Sequence, residues 1–338
     1  MKTAIKYILL SCLIALILPG CTRPDYQEEI EATIPVTLAI ANEITARAIG
    51  DPVHSVNRIL VLPFQKINPA LPGNDLSNFT PVYSLARQWD VATFPSGNLA
   101  LKLVKGLTYQ VIVIGYNAND YNFNTPNAAG NRFSIGSVTT PTLLNNFHLY
   151  PKVPNIVPEF FSCFCTASDN GTSLGTIFTP NTNTNIGLSG QLNRLVSGLN
   201  IQISNIPTYV KSISLTAERM VKAIRVVDTI ASLVQTVGDG ESRLIQKLTP
   251  SNGQILFSNL LLPTMDTYKT KLYLNVSYGQ TTETYTIKVQ DTNISSGNSI
   301  SLKPNHVITI TGDYTKINLG FKLTYTINLD DNKWDGLQ

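Results

Sequence analysis

The sequence predicts an all-β protein, two β-sandwiches in tandem behind a secretory leader, and three observations predict it. Short runs alternate apolar and polar residues with period two, most plainly in the last third of the chain. Clusters of Asn, Gly, Pro and Ser punctuate these runs, and many short strands separated by turn signals read as sandwiches. Charged residues make up only 14% of the 338-residue chain, below the usual quarter or so. Asn, Thr and Ser supply the polarity instead, as suits an exported β-protein with long turns.

The leader comes first. Lys2 and Lys6 precede an apolar run from Ile8 to Leu18, which is followed by Pro19-Gly20-Cys21. A basic start, a short apolar core and a small residue at the cut site describe a signal peptide. The run is shorter than the ~20 residues a spanning helix needs. A cysteine directly after the small residue makes this a lipoprotein signal, with cleavage before Cys21 and acylation of Cys21. Residues 1–20 are thus read as signal peptide, 21–32 as a lipidated tether, 33–183 as a first β-sandwich domain and 184–338 as a second.

The segment Thr33–Ile40 alternates with Ile34, Val36, Leu38 and Ile40 on one face, the mark of a half-buried strand. Pro35 cannot donate a ladder hydrogen bond, so an edge position is expected. A polar connector, Asn42–Ala48, carries Arg47. Val56–Phe64 is almost continuously apolar, as in a strand covered on both faces. Leu76–Trp89 reads as mixed and loop-like. Leu99–Val104 and Leu107–Tyr116 flank Gly106 and are expected to form a hairpin or adjacent strands. Asn117–Asn131 reads as a long surface loop, and Leu143–Tyr150 as a helical turn or short strand. Phe160–Thr166 is expected as a strand ahead of a turn at Asp169-Asn170-Gly171.

The low-complexity tract Thr179–Asn185 is the expected domain boundary. Beyond it, Leu195–Ile203 and Val210–Leu215 open a second set of strands. Met220–Val237 is ambiguous: Met220, Ile224, Val227, Ala231 and Val234 fit a helical stripe, which is the reading taken, while its many β-branched residues favour a strand. Ile255–Leu262 reads as buried. Leu272, Leu274, Val276 and Tyr278 share a face, as do Tyr285, Ile287 and Val289. Val307–Thr311 follows, then Phe321, Leu323, Tyr325, Ile327 and Leu329 alternate with polar residues.

Chemistry-bearing patterns are sparse. The three histidines, His54, His148 and His306, sit in no recognisable motif. There is no Gly-x-Ser-x-Gly elbow, no His-Glu-x-x-His and no phosphate-binding glycine loop. Within Asp330–Gly336, a calcium loop starting at Asp331 fails at its third position, Lys333. Processing would leave Cys163 and Cys165 as the only thiols, too close in sequence to bridge and read as small buried residues. Neither an enzyme nor a cofactor or metal site is expected. The formal charge of +3 falls toward neutrality once Lys2 and Lys6 are removed, which argues against a nucleic-acid surface.

The order of these features resembles a known family. Cys21, the leading strand, Thr45-Ala46-Arg47-Ala48, the buried Ile59–Phe64 strand and Arg194–Ile201 opening a second β-domain are together similar to type V pilus proteins, the fimbrillins and FimB-type fimbrial anchor lipoproteins of Gram-negative anaerobes. The resemblance implies two transthyretin-like (Greek-key) β-sandwich domains, no enzymatic activity and an outer-membrane, surface-exposed location with acyl chains on Cys21. In polymerising members an arginine-specific protease cuts behind the first strand, by position after Arg47 and before Ala48. The vacated groove, here the place of Ile34, Val36, Leu38 and Ile40, then takes another subunit's C-terminal strand, here Phe321, Leu323, Tyr325, Ile327 and Leu329. Partners would be other fimbrial subunits joined by strand exchange. Anchor members keep lipid and first strand, and the charged segment after the terminal strand favours that type. The competing reading is a glycan-binding surface lipoprotein of a polysaccharide-uptake system, which calls for exposed clustered aromatics including Trp89 or Trp334.

Overall fold

A computed structural model describes residues 29–34, 56–91, 99–135, 142–153, 157–181, 186–226, 242–264, 269–288, 295–296, 299–317 and 322–326. The strands of the first half are β1 (Glu29–Ile34), β2 (Arg58–Lys66), β3 (Phe79–Pro81), β4 (Arg87–Asp90), β5 (Leu99–Val104), β6 (Tyr109–Tyr116), β7 (Phe133–Ile135), β8 (His148–Pro151), β9 (Phe161–Phe164), β10 (Thr166–Asp169), β11 (Thr172–Gly175), β12 (Ile186–Ser189) and β13 (Asn193–Arg194). Those of the second half are β14 (Ser197–Ser204), β15 (Ser212–Glu218), β16 (Ile224–Arg225), β17 (Arg243–Leu248), β18 (Ile255–Leu261), β19 (Thr270–Ser277), β20 (Thr282–Thr286), β21 (Ser295–Ser296), β22 (Ser299–Ile300), β23 (Val307–Asp313) and β24 (Lys322–Thr326). The helical segments among the described residues are short 3-10 turns, and the chain is all-β as expected.

The first half is organised around β2 and β6, neighbours in a sheet of order β13-β9-β6-β2-β3, with β4 also on β2. One face of this pair, with Ile59, Val61, Val111 and Val113, packs against Leu101, Leu103, Ala167, Ile186 and Leu188 of a second sheet. The opposite face, with Leu60, Leu62, Phe64, Ile112 and Ile114, packs against Phe133, Phe147, Leu149 and Phe160, and against Leu195, Leu260 and Val307 of the second half. A sheet covered on both sides has no solvent face to mark with polar residues. That is why Val56–Phe64 and Val111–Ile114 lack the alternation of a half-buried strand.

The second half is a two-sheet sandwich. One sheet has the order β18-β14-β23-β24, the other β17-β15-β19-β22-β21 with β20 also on β19. Leu199, Ile201, Phe257, Ile308 and Ile310 meet Ile213, Leu215, Leu272, Leu274 and Val276 between them. Here the alternating residues of β19 are buried in turn, because only one face of its sheet is covered.

Several expectations are corrected. Leu99–Val104 and Leu107–Tyr116 are not a hairpin: β5 pairs with β1, and β6 with β2 and β9. Gly106, at φ +79°, turns the chain from one sheet to the other. Leu76–Trp89 contains β3 and β4 as well as two 3-10 turns. Asn117–Asn131 is not purely a surface loop, because Asp120, Tyr121 and Phe123 are buried. Asp120 is paired with Arg132 at 3.0 Å, and Tyr121 stacks on Phe133 with centroids 4.8 Å apart. Leu143–Tyr150, by contrast, is as expected, a 3-10 turn followed by the start of β8.

Met220–Val226 is not helical. Ile224 and Arg225 form β16, paired with Leu149 and His148 of β8, and residues 227–237 lie outside the described residues. The stripe misled because β-branched residues at positions three and four apart serve a strand-and-turn path equally well. Past the Thr179–Asn185 tract, β12 and β13 still pair with β10 and β9, and the sheets of the second half begin with β14. Strand pairing thus continues the sheets of the first half through Arg194.

The turn at Asp169-Asn170-Gly171 is as expected. Asn170 and Gly171 have φ +47° and +84° between paired Asp169 and Thr172. Two consecutive positive φ values are the type I′ hairpin geometry. Gly171→Ala is expected to cost roughly 1 kcal/mol, read as a small drop in the thermal midpoint, whereas Thr172→Ala on the exposed strand should leave it nearly unchanged.

Candidate strand-exchange site

The leading strand is where the functional expectation can be checked against geometry. β1 spans Glu29–Ile34, four residues ahead of the expected start, so the end of the supposed tether belongs to the sheet. It is also not an edge strand. The sheet order is β11-β10-β12-β1-β5, and β1 lies between two partners. It runs antiparallel to β5 over six pairs, from Glu29↔Val104 to Ile34↔Leu99, and parallel to β12 at Thr33↔Gly187. Pro35 lies outside the described residues.

The register gives the seat its character. Ile30 and Ala32 stand opposite Leu103 and Leu101, both fully buried in the core shared with β2 and β6. On the other flank, Ile186 and Leu188 of β12 are fully buried in the same core. Taking β1 away would leave β5 and β12 two strand spacings apart, roughly 9–10 Å. Such a gap has unpaired backbone groups on both walls and an apolar floor, and one extended segment fills it.

Of the sequence-predicted site residues, Ile34 closes β1. Val36, Leu38, Ile40, Arg47 and Ala48, and the lipidation position Cys21, lie outside the described residues. Leu323 and Tyr325 fall in β24, opposite Ile310 and Ile308 of β23, while Phe321, Ile327 and Leu329 lie outside. Among the described residues β24 ends its sheet and pairs with β23. The two candidate segments thus sit in different sheets, one held on both flanks and the other on one. β12 as the second wall was missed. Its signal was present, since Ile186 and Leu188 alternate directly after the Asn-Thr tract, but no local pattern says which sheet a strand joins.

A second feature was missed altogether. The Arg194 guanidinium lies 2.7 Å from the Glu159 carboxylate, both side chains almost fully buried. It also donates to Asn305 Oδ1 at 3.2 Å and covers the Phe161 ring at 4.9 Å. Glu159 and Phe161 belong to the first half and Asn305 to the second, so one side chain ties the halves together.

Conventional chemical sites are meagre. His148 Nδ1 is 2.7 Å from the Asn146 carbonyl, and His306 Nδ1 is 2.6 Å from that of Pro304. Burial holds the His148 imidazole below its ordinary range. Cys165 is buried and Cys163 half-buried. Their mutual hydrogen bond, then burial, pushes the Cys165 thiol up, away from nucleophilic use. Among the described residues no group of three His, Cys, Asp or Glu side chains is placed to hold a metal. Trp89 lies in β4, half-buried against the core between the two sheets of the first half, and is no exposed platform. Trp334 lies outside the described residues.

No protein-family model and no curated protein matches the sequence. Among solved structures, the chain is similar to a Bacteroides thetaiotaomicron protein proposed to bind polysaccharide, at 9% identity over 85% of this chain and 93% of that one, TM-score 0.49. It is similar to a fimbrial anchor protein of Porphyromonas gingivalis, at 11% identity over 84% and 90%, TM-score 0.46. A C-terminally truncated tip fimbrial protein of the same organism matches at 10% identity over 89% and 99%, TM-score 0.40.

Proposed function

We propose that the protein is a cell-surface fimbrial subunit or anchor lipoprotein, held at the outer membrane by acyl chains on Cys21, joined to other subunits by strand addition and contributing to adhesion. It is read as non-enzymatic. The observation that carries this reading is the seating of β1 between β5 and β12, whose Leu101, Leu103, Ile186 and Leu188 are buried in one apolar core. A removable strand with such a seat is what strand exchange requires, because main-chain bonds supply the affinity and alternate side chains the fit. The order of features in the sequence supports the same reading. A fimbrial role is also what the names of two of the similar structures state for their own proteins.

Of the two roles, the geometry favours the anchor. β24, the candidate donor, is engaged by its own β23 over five pairs. A donor would have to leave that sheet first. More than one acyl chain on Cys21 suffices for stable mooring.

The test uses the intact lipidated protein exposed to an arginine-specific protease, followed by N-terminal sequencing and gel analysis. An anchor keeps acylated Cys21 and stays monomeric. A polymerising subunit yields a chain starting at Ala48 and forms heat-resistant ladders. For the groove itself, protein lacking residues up to Arg47 is expected to bind a synthetic Glu29–Ile40 peptide, and Leu101→Asp is expected to abolish that binding. A truncated protein that ignores the peptide and unfolds no more readily than the intact chain would sink the strand-exchange reading.

A further inference from the structure

We infer that the end of the second sandwich remote from the first half is a binding surface for neutral saccharides, built from tyrosines and one carboxylate. Strand directions define that end. β14 runs from Ser197, beside the junction, to Ser204, and β23 runs parallel to it, pairing Ser204 with Asp313. β15 begins there, with Ser212 opposite Ser277. The connection after β14, the turn between β19 and β20 and the segment after β23 therefore converge.

Each of these segments contributes a tyrosine. Tyr209 is 60% exposed, whereas Tyr109, Tyr116 and Tyr121 are all but fully buried in the first half. Its ring lies 6.0 Å from that of Tyr278, tilted by 36°. The Tyr278 hydroxyl is 2.9 Å from that of Tyr314 and donates to Glu283 Oε2 at 2.9 Å. Tyr285 of β20 donates to the same carboxylate oxygen. Beside them, Asp313 accepts from the Thr315 backbone and hydroxyl and from Asn205 Nδ2.

This arrangement fits a sugar better than an apolar partner. A large exposed ring offers a flat apolar face, and a pyranose has a matching face of C–H groups. The hydroxyls at a sugar's rim need acceptors, and a carboxylate offers about four lone-pair sites, of which the two phenols address one oxygen. Those phenols hold the Glu283 carboxyl below its usual range, so it stays a charged acceptor across the physiological range. Asp313 is ionised too, with Lys316 beside it offsetting its charge, so the surface offers no cationic excess to hold an anionic chain. The network fixes the rings before a ligand arrives, which lowers the ordering cost of binding.

The inference rests on the adhesive part of the reading above and not on strand exchange. Its test is surface plasmon resonance of the purified full-length protein over dextran, mannan, xylan, galactan and heparin. The expected result is a response on at least one neutral polymer and none on heparin. Tyr209→Ala and Glu283→Gln should each weaken that response about tenfold. Tyr209→Ala should keep the wild-type thermal midpoint, since its ring is largely in solvent. Leu174→Ala on exposed β11 should bind like wild type. Silence on all four neutral polymers overturns the inference, as does heparin binding alone or an unweakened Tyr209→Ala. Each of these outcomes leaves β1 exchange, measured by peptide binding, to stand or fall separately.

Discussion

Arg194→Met is expected to lower stability by about 3–5 kcal/mol, because it leaves the buried Glu159 carboxylate without its partner 2.7 Å away. Desolvation makes an uncompensated charge far costlier inside than at a surface, where a broken pair costs about 1 kcal/mol or less. The loss should appear as a large fall in the thermal midpoint, along with earlier proteolysis between the halves. The same change removes the link to Asn305, so the second sandwich should loosen its contact with the first before either melts. The double variant Glu159→Gln with Arg194→Met separates the causes. Removing both charges should recover much of the loss, and a double variant as unstable as the single one would refute the ion-pair account.

Phe133→Ala is expected to cost about 3–5 kcal/mol as well, by a different route. Phe133 is fully buried and meets Tyr116, Tyr121 and Phe160, with ring centroids 6.2, 4.8 and 5.4 Å away. Truncation loses the transfer energy of the ring and leaves a void that its rigid aromatic neighbours fill poorly. Because Tyr121 lies in the segment between β6 and β7, the cavity should also release that segment. Hydrogen exchange around Tyr121 and Phe123 is the measurement. Unchanged protection there, together with a small fall in midpoint, would show that the stack is not what holds the segment down.

The parts of the fold visible beforehand share a local cause. β19 could be read from Leu272, Leu274 and Val276 because only one face of its sheet is buried, so the pleat imprints itself on the sequence. The Asn170-Gly171 turn could be read because few other residues accept two positive φ values in a row. β2 betrayed its burial on both faces by the absence of alternation. What misled was partner choice. β5 and β6 look like a hairpin, yet the residues between them carry the chain across the core to a different sheet. β12 follows a tract that looks like a linker and nonetheless returns to pair with β10.

By itself, the sequence determined the all-β class, the apolar strands and the sparseness of recognisable chemical motifs, since each is written in residue type and short-range period. Tertiary structure decided that β1 lies inside its sheet, that Arg194 and Glu159 meet, and that tyrosines from four separate places share one end of the second sandwich. Those facts depend on contacts between residues far apart along the chain. The free energy of such a contact depends on what surrounds it once folded, which no local pattern encodes.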